Sequence, residues 1–247
     1  MTDPVANPIA NKSANKLPIA VLFSGRGSNL AYLLQCIDTG RLPVQISTVI
    51  CNRAAAAGLQ QLFRHTLAGY IIDDRQIAAW HTDASARPDR QTARLQFEQH
   101  IADAIEASAA QWIVLAGFMR ILSPGFIDRF AGRIINLHPS LLPAYPGLDT
   151  HARALAAGDG VYGASVHFVN AAVDGGPVLA QQRMSIAADD NVASMAAALL
   201  PHEHRLLAAS IALFCRHTIT CNNQHISIDG KPLQQPLRLD RDLRWPA

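Results

Sequence analysis

The sequence predicts an α/β fold: a single three-layer domain with a mostly parallel twisted sheet, helices on both faces and an antiparallel C-terminal part. Three observations carry this. Short apolar runs of the fully buried strand type recur up to residue 137. Segments with helical spacing separate them, and such alternation makes a parallel sheet. Beyond residue 160 two strand-like runs follow each other with no long helix between, so pairing there turns antiparallel.

The elements follow in order. Pro18 to Phe23 is an apolar run ending at Ser24-Gly25, the first strand. Leu30, Leu33, Leu34 and Ile37 give residues 28–38 a helical face. Val44 to Ile50 fits a strand, Ala54 to His65 an Ala-rich helix, and Tyr70 to Ile72 a third strand. Residues 74–90 are polar and read as a surface loop or lid. Leu95, Phe97, Ile101 and Ile105 place a helix from Thr92 to about Ala107. Trp112 to Ala116 and Ile134 to Leu137 are buried strands, with a short helix after Pro124 between them. Ser165 to Val169 and Val178 to Ser185 are the antiparallel pair. A long helix fits Asn191 to Cys215, with Asp189 or Asp190 as its N-cap. Residues 1–16 read as a flexible tail, 17–221 as the main domain, and 222–247 as an extension of it with Asp229-Gly230 as a hairpin turn.

Composition narrows the function classes. Hydrophobic residues make up 49% and charged residues 16% of the 247, enough apolar side chain for a sizeable core. Net charge is +2, and Lys occurs only at Lys12, Lys16 and Lys231, so no basic footprint for nucleic acid is present. Cys36, Cys51, Cys215 and Cys221 form no CxxC pair, and no metal is expected. No run reaches the roughly 20 apolar residues of a membrane helix, and the first residues lack an apolar export core. A cytoplasmic protein without membrane or nucleic-acid partners is expected, monomeric or homodimeric.

Two stretches carry chemistry. The first strand runs into Ser24-Gly25-Arg26-Gly27-Ser28-Asn29 and then a helix. Backbone N–H groups and the helix N-terminus there suit a phosphate, although a tight turn capped by Ser28 fits equally. Counting GxGxxG from Gly25 puts Leu30 at the third glycine, so the dinucleotide fingerprint is incomplete. The second stretch is Arg133 to Ser140. A buried strand ends in Asn136 and His138, whose side chains share one side. Ligands of open α/β sheets bind at the carboxyl ends of strands. Pro139, Pro143, Pro146 and Gly147 then impose a rigid loop. Asn can donate to an oxyanion and His can move a proton; alternatively His138 is a core histidine bonded to a backbone carbonyl. Asp174, in the turn Asp-Gly-Gly-Pro, either caps that turn or orients His138 and raises its pKa. His202-Glu203-His204 is too tight for an HExxH metal site, and no Gly-x-Ser-x-Gly elbow exists.

The segments Leu22 to Leu30, Leu115 to Leu122, Ile135 to Pro143, Ser165 to Val169, Asp174 to Pro177 and Glu203-His204 together resemble the folate-dependent formyltransferases. The match runs from about Pro18 to Cys215 and is nearest to the phosphoribosylglycinamide formyltransferase family. The resemblance implies the formyltransferase-type three-layer fold and 10-formyltetrahydrofolate as co-substrate. It also implies small-molecule partners only, with glycinamide ribonucleotide as acceptor. It puts Asn136, His138 and Asp174 at the catalytic positions, with Asp174 holding His138 charged. It assigns Gly27, Ser28, Asn29 and Glu203 to the ribonucleotide. Arg94, Met119, Arg120, Ile121, Leu122, Asn136, Asn170 and Val173 fall to the folate, and the Leu142-Pro143 bond is cis. The chain departs from the family pattern at Asp149, Ala164 and Leu200. The alternative of a formyltetrahydrofolate hydrolase implies an N-terminal regulatory domain, where only residues 1–16 precede the first strand. A tRNA-modifying relative implies a basic C-terminal domain.

Overall fold

The computed structural model describes residues 16–72, 89–222 and 224–239. Most of the 74–90 segment expected as a loop or lid lies outside them, as do residues 1–15 and 240–247.

Strand β1 (Leu17–Phe23) is buried on both faces: Ile19, Val21 and Phe23 enter one core, Ala20 and Leu22 the other. That double burial explains the unbroken apolar run. Parallel neighbours β2 (Val44–Cys51), β3 (Gly69–Ile71), β4 (Trp112–Leu115) and β5 (Ile134–His138) give the order β3-β2-β1-β4-β5. Chain direction of strand addition reverses at β1, so the crevice beyond the carboxyl ends of β1 and β4 is the natural ligand site.

Helices cover both faces. On one lie α1 (Ser28–Asp38) and, through contacts with β6, β7 and α1, the last and longest helix. On the other lie α3 (Arg90–Ala107) and α4 (Pro124–Arg129), whose Phe97, Ile101, Ile105, Phe126 and Phe130 fill the second core. Asp89 caps α3, its carboxylate accepting from the Thr92 N–H at 2.8 Å, so the helix starts slightly before the expected Thr92. The Ala-rich segment 54–65 is helical only from a 3-10 turn at Ala57–Leu59 into α2 (Gln60–His65).

After β5 the sheet turns antiparallel, as expected: β6 (Val161–Phe168) pairs with β5 and β7 (Val178–Ser185) with β6. β6 begins at Val161, ahead of the expected Ser165. Helix α5 (Thr150–Ala157), not anticipated, lies before it. The long helix α6 (Val192–Arg216) is capped by Asn191, whose side chain accepts from the Ala193 and Ser194 N–H groups. That corrects the expected Asp189 or Asp190: Asp190 instead accepts from the Ser194 hydroxyl and the Ala187 N–H. Strands β8 (Ile219–Asn222), β9 (His225–Ile228) and β10 (Lys231–Pro232) make a small antiparallel sheet, with Asp229-Gly230 at the β9–β10 turn. β11 (Leu237–Arg238) returns to pair in parallel with β7 at the edge of the main sheet.

Candidate active site

The expected trio meets at the end of β5. Asn136 and His138 leave the strand on one side, and Asp174 reaches them from the β6–β7 turn in a left-handed conformation (φ 49°). The Asn136 amide donates to Asp174 Oδ1 at 3.2 Å. His138 Nδ1 stands 3.3 Å from Asp174 Oδ2. His138 Nε2 donates to the Tyr145 carbonyl at 2.9 Å, and the Gly147 N–H donates to Asp174 Oδ2 at 2.8 Å. The strap 139–149 therefore holds the outer side of both residues. Hydroxyl contacts stiffen it: Ser140 donates to the Ala144 carbonyl at 2.6 Å, and the Leu142 N–H donates to Ser165 at 3.0 Å. The Leu142-Pro143 bond is cis.

Electrostatics depart from the sequence expectation. His138 faces two acceptors, Tyr145 O and Asp174, and satisfies both only when doubly protonated. Burial opposes this and is the larger effect, so its pKa lies below the usual histidine value despite the pull of Tyr145 and Asp174. His167 and Arg153 push in the same direction as burial. Burial pushes Asp174 up. Hydrogen bonds from His167 and Gly147, with the charge of His138, outweigh that and leave it below the usual carboxylate range.

Sequence reasoning gave His167 no role. It lies directly across from Asn136 in the β5–β6 pairing. Its Nδ1 donates to the Phe168 carbonyl at 2.8 Å, and its Nε2 stands 3.1 Å from the Asn136 amide nitrogen, accepting from it in the neutral ring and donating to Asp174 in the charged one. Asp174 Oδ1 stands 3.4 Å from the same nitrogen. A settled β5–β6 register was the one signal that could have found it, and register depends on turn geometry absent from local sequence.

The Ser24 to Asn29 loop leaves the carboxyl end of β1, with β4 between it and β5. Gly27, at φ 68°, is the residue before α1, and Ser28 is the first helical residue rather than the cap. Gly27 packs against Gly58: a Cβ on Gly27 would lie 2.8 Å from the Gly58 Cα. The Gly58 N–H donates to the Gly25 carbonyl at 3.1 Å. Asn29 is buried and its Oδ1 has no protein partner. Glu203 on α6 has its pKa raised to about 7 by burial, opposed by the charge of Arg26 in the loop.

Segment 118–123 follows β4, the strand between β1 and β5. Met119 and Ile121 are exposed at 57% and 67%, while Leu122 turns into the second core and offers a ligand only backbone. Arg120 lies 5.6 Å over the Phe97 ring. Arg94 is not a free cation: its Nη2 donates to the Ile121 carbonyl at 2.9 Å and its Nε to Glu98 at 3.1 Å. Asn170 braces its own turn, bonding the Ala172 N–H and the Gly175 carbonyl, and Val173 is 52% exposed.

A formyl transferase family profile matches residues 17–211. The chain belongs to the formyl transferase family. A phosphoribosylglycinamide formyltransferase of Haemophilus influenzae is 35% identical over 215 residues, covering 87% of this chain and 95% of the relative. One of Escherichia coli is 35% identical over 220 residues, with the same coverages of 87% and 95%. Among solved structures, a phosphoribosylglycinamide formyltransferase from Coxiella burnetii superposes with a TM-score of 0.79 at 36% identity. That superposition covers 91% of this chain and 99% of the other.

Two further supports in this formyl transferase escaped the sequence reading. Buried Glu98 on α3 accepts from the Ser123 N–H at 2.8 Å and from the Ser123 hydroxyl, besides Arg94. At the other end of the segment, the Ser24 hydroxyl accepts from the Met119 N–H at 2.7 Å, and the Ser24 N–H donates to the Gly117 carbonyl at 3.0 Å. The 118–123 segment is thus pinned at both ends while Met119 and Ile121 face outward.

Proposed function

We propose that the chain transfers the formyl group of 10-formyltetrahydrofolate to the amine of the glycinamide ribonucleotide N1-(5-phospho-D-ribosyl)glycinamide, a step of purine biosynthesis. The observation that carries this is the Asn136, His138 and Asp174 cluster at the carboxyl end of β5, in a formyl transferase whose relatives bear that activity in their names.

The amine nitrogen attacks the formyl carbon, a C–N bond forms, and the carbonyl π pair moves onto oxygen. Asn136 and His138 stabilise that oxyanion. In the free site the Asn136 amide is spent on Asp174 and His167, and both His138 nitrogens face protein acceptors. Stabilisation therefore requires these donors to change partners as substrates enter. A proton taken up at Asp174 or through water leaves the attacking amine. Collapse of the intermediate breaks the bond to N10, which takes a proton as tetrahydrofolate departs. The Asp174 charge favours a protonated His138, and its effect grows as ligands replace the groups now facing it.

Gly27, Ser28 and Asn29 hold the ribonucleotide phosphate through N–H groups at the start of α1. Glu203 faces the same substrate. The folate lies along Met119, Arg120, Ile121 and Leu122, with Asn136, Asn170 and Val173 around it and Arg94 toward its glutamate tail. No described helix is long and apolar enough to cross a membrane. We place the enzyme in the cytoplasm, where both substrates are.

The test mixes purified protein with 10-formyltetrahydrofolate, with and without the ribonucleotide, and follows tetrahydrofolate release optically. Release that needs the ribonucleotide is expected. Release without it indicates a hydrolase, and no release in either tube overturns the reading.

A further inference from the structure

Arg153 stands outside the cluster yet reaches it through one peptide. It belongs to the first turn of α5, where its N–H donates to the Asp149 carbonyl at 3.0 Å. Its Nη1 donates to the Pro146 carbonyl at 2.6 Å and to the Leu148 carbonyl at 3.3 Å. The Pro146 C=O and the Gly147 N–H are the two ends of a single planar amide. The N–H end donates to Asp174 Oδ2 at 2.8 Å, and that oxygen lies 3.3 Å from His138 Nδ1. A continuous chain thus runs from guanidinium to peptide to carboxylate to imidazole.

Nothing local fixes this peptide plane. Pro146 fixes its own φ but leaves ψ free, and Gly147 (φ 80°) accepts either sign of φ, so the amide between them can rotate. Rotation would withdraw the Gly147 N–H from Asp174. Arg153 opposes it by holding the carbonyl end, and hydrogen bonds in series polarise one another by roughly 10–30% each. The guanidinium also lies 5.4 Å over the Tyr145 ring, and the Tyr145 hydroxyl donates to Asp159 at 2.7 Å. Tyr145 is the residue whose carbonyl accepts from His138, so the same arginine steadies both partners of the pair.

We infer that Arg153 is a positioning residue of the active site, orienting and polarising the 146–147 peptide so that its N–H stays on Asp174. The inference rests on the formyl transfer reading above for its kinetic consequence, but its structural consequence stands apart from that reading. The charged and titratable groups acting on His138 are Asp174, His167 and Arg153. Removing the arginine takes away a cation that disfavours protonation of His138 and weakens a donor to Asp174. Both changes raise the affinity of His138 for a proton.

The test compares R153M, which keeps the apolar stem, and R153K, which keeps charge and one donor, with the unaltered enzyme. R153M is expected to lower kcat about tenfold, with both KM values held within about twofold. The Gly147 amide proton is expected to move upfield and exchange faster by NMR, and the His138 titration to shift to higher pH. R153K recovers part of each effect. R153M with unchanged kcat and an unmoved Gly147 amide overturns the inference. So does a raised ribonucleotide KM at constant kcat, which would make Arg153 a substrate contact. If the unaltered enzyme transfers no formyl group, the activity reading fails, while the Gly147 amide and the His138 titration in R153M still decide the inference.

Discussion

The two walls of the crevice are built on opposite principles. At the end of β5, Asn136, His138, His167 and Asp174 bond one another and the backbone at 2.8–3.4 Å. After β4, the 118–123 segment has its backbone pinned by Ser24 and Glu98 while Met119 and Ile121 project outward. The first wall is polar, buried and mutually satisfied. The second has a fixed frame and an unfilled apolar surface. Buried polar groups are costly unless paired, so a site of chemistry must be self-satisfied before its ligand arrives. An apolar face exposed at the surface gains only when a ligand covers it. On the proposed function, the contrast gives the rate to one wall and affinity for the folate to the other.

Substitutions can break that division. The largest effect is expected at the polar wall: N136A or H138A lowers kcat on the order of 100-fold or more, the loss found for one oxyanion donor. Thermal melts should show the fold intact, and an activity within a few-fold of the parent in either variant would remove that residue from the mechanism. Next comes E98Q, which weakens the charge-assisted bond from Arg94. The KM for 10-formyltetrahydrofolate should rise about tenfold, with kcat and the ribonucleotide KM steady. A fall in kcat instead would mean that the two walls are not separable. I121A removes exposed apolar surface and should raise the folate KM about fivefold without shifting the melting midpoint. An unchanged folate KM would place the ligand elsewhere.

The smallest effect is on stability against pH. The Glu203 pKa is about 7 in the fold against the ordinary 4.5. Between those values the unfolded chain has released a proton that the folded chain keeps, so Glu203 makes stability fall as pH rises through this window. His138, held below the usual histidine value, acts oppositely: its contribution to stability is lost as pH falls through that range. Denaturant titrations of E203Q against the parent isolate the first effect. The difference should grow from pH 4.5 to 7 in favour of the glutamine variant and stay level above. A level difference throughout would contradict the burial of this carboxyl.

Much of this was legible in the chain itself. The apolar run 18–23 could only be a strand buried on both faces, and strand alternation alone paired Asn136 with His138. What escaped depends on contacts between distant segments. His167 needed the β5–β6 register, and Glu98 needed α3 docked on Ser123. Leu122 sat in a window assigned whole to the folate, and only packing shows it turned inward. At Asp189-Asp190-Asn191 three consecutive residues all favour capping, and propensity does not separate them. Segment 54–65 has helical composition, yet its helix starts late because Gly58 is committed to the loop after β1.

That commitment constrains how the loop 24–29 can be altered by design. Gly27 and Gly58 face each other with no room for a methyl on either, and a Cβ on Gly58 would also meet the Phe23 ring at 2.5 Å. A library that randomises residues 24–29 alone therefore consists largely of chains in which the loop cannot seat. Reshaping the loop requires the 53–58 segment to be rebuilt in the same step, so its evolvable unit is two stretches of chain rather than one.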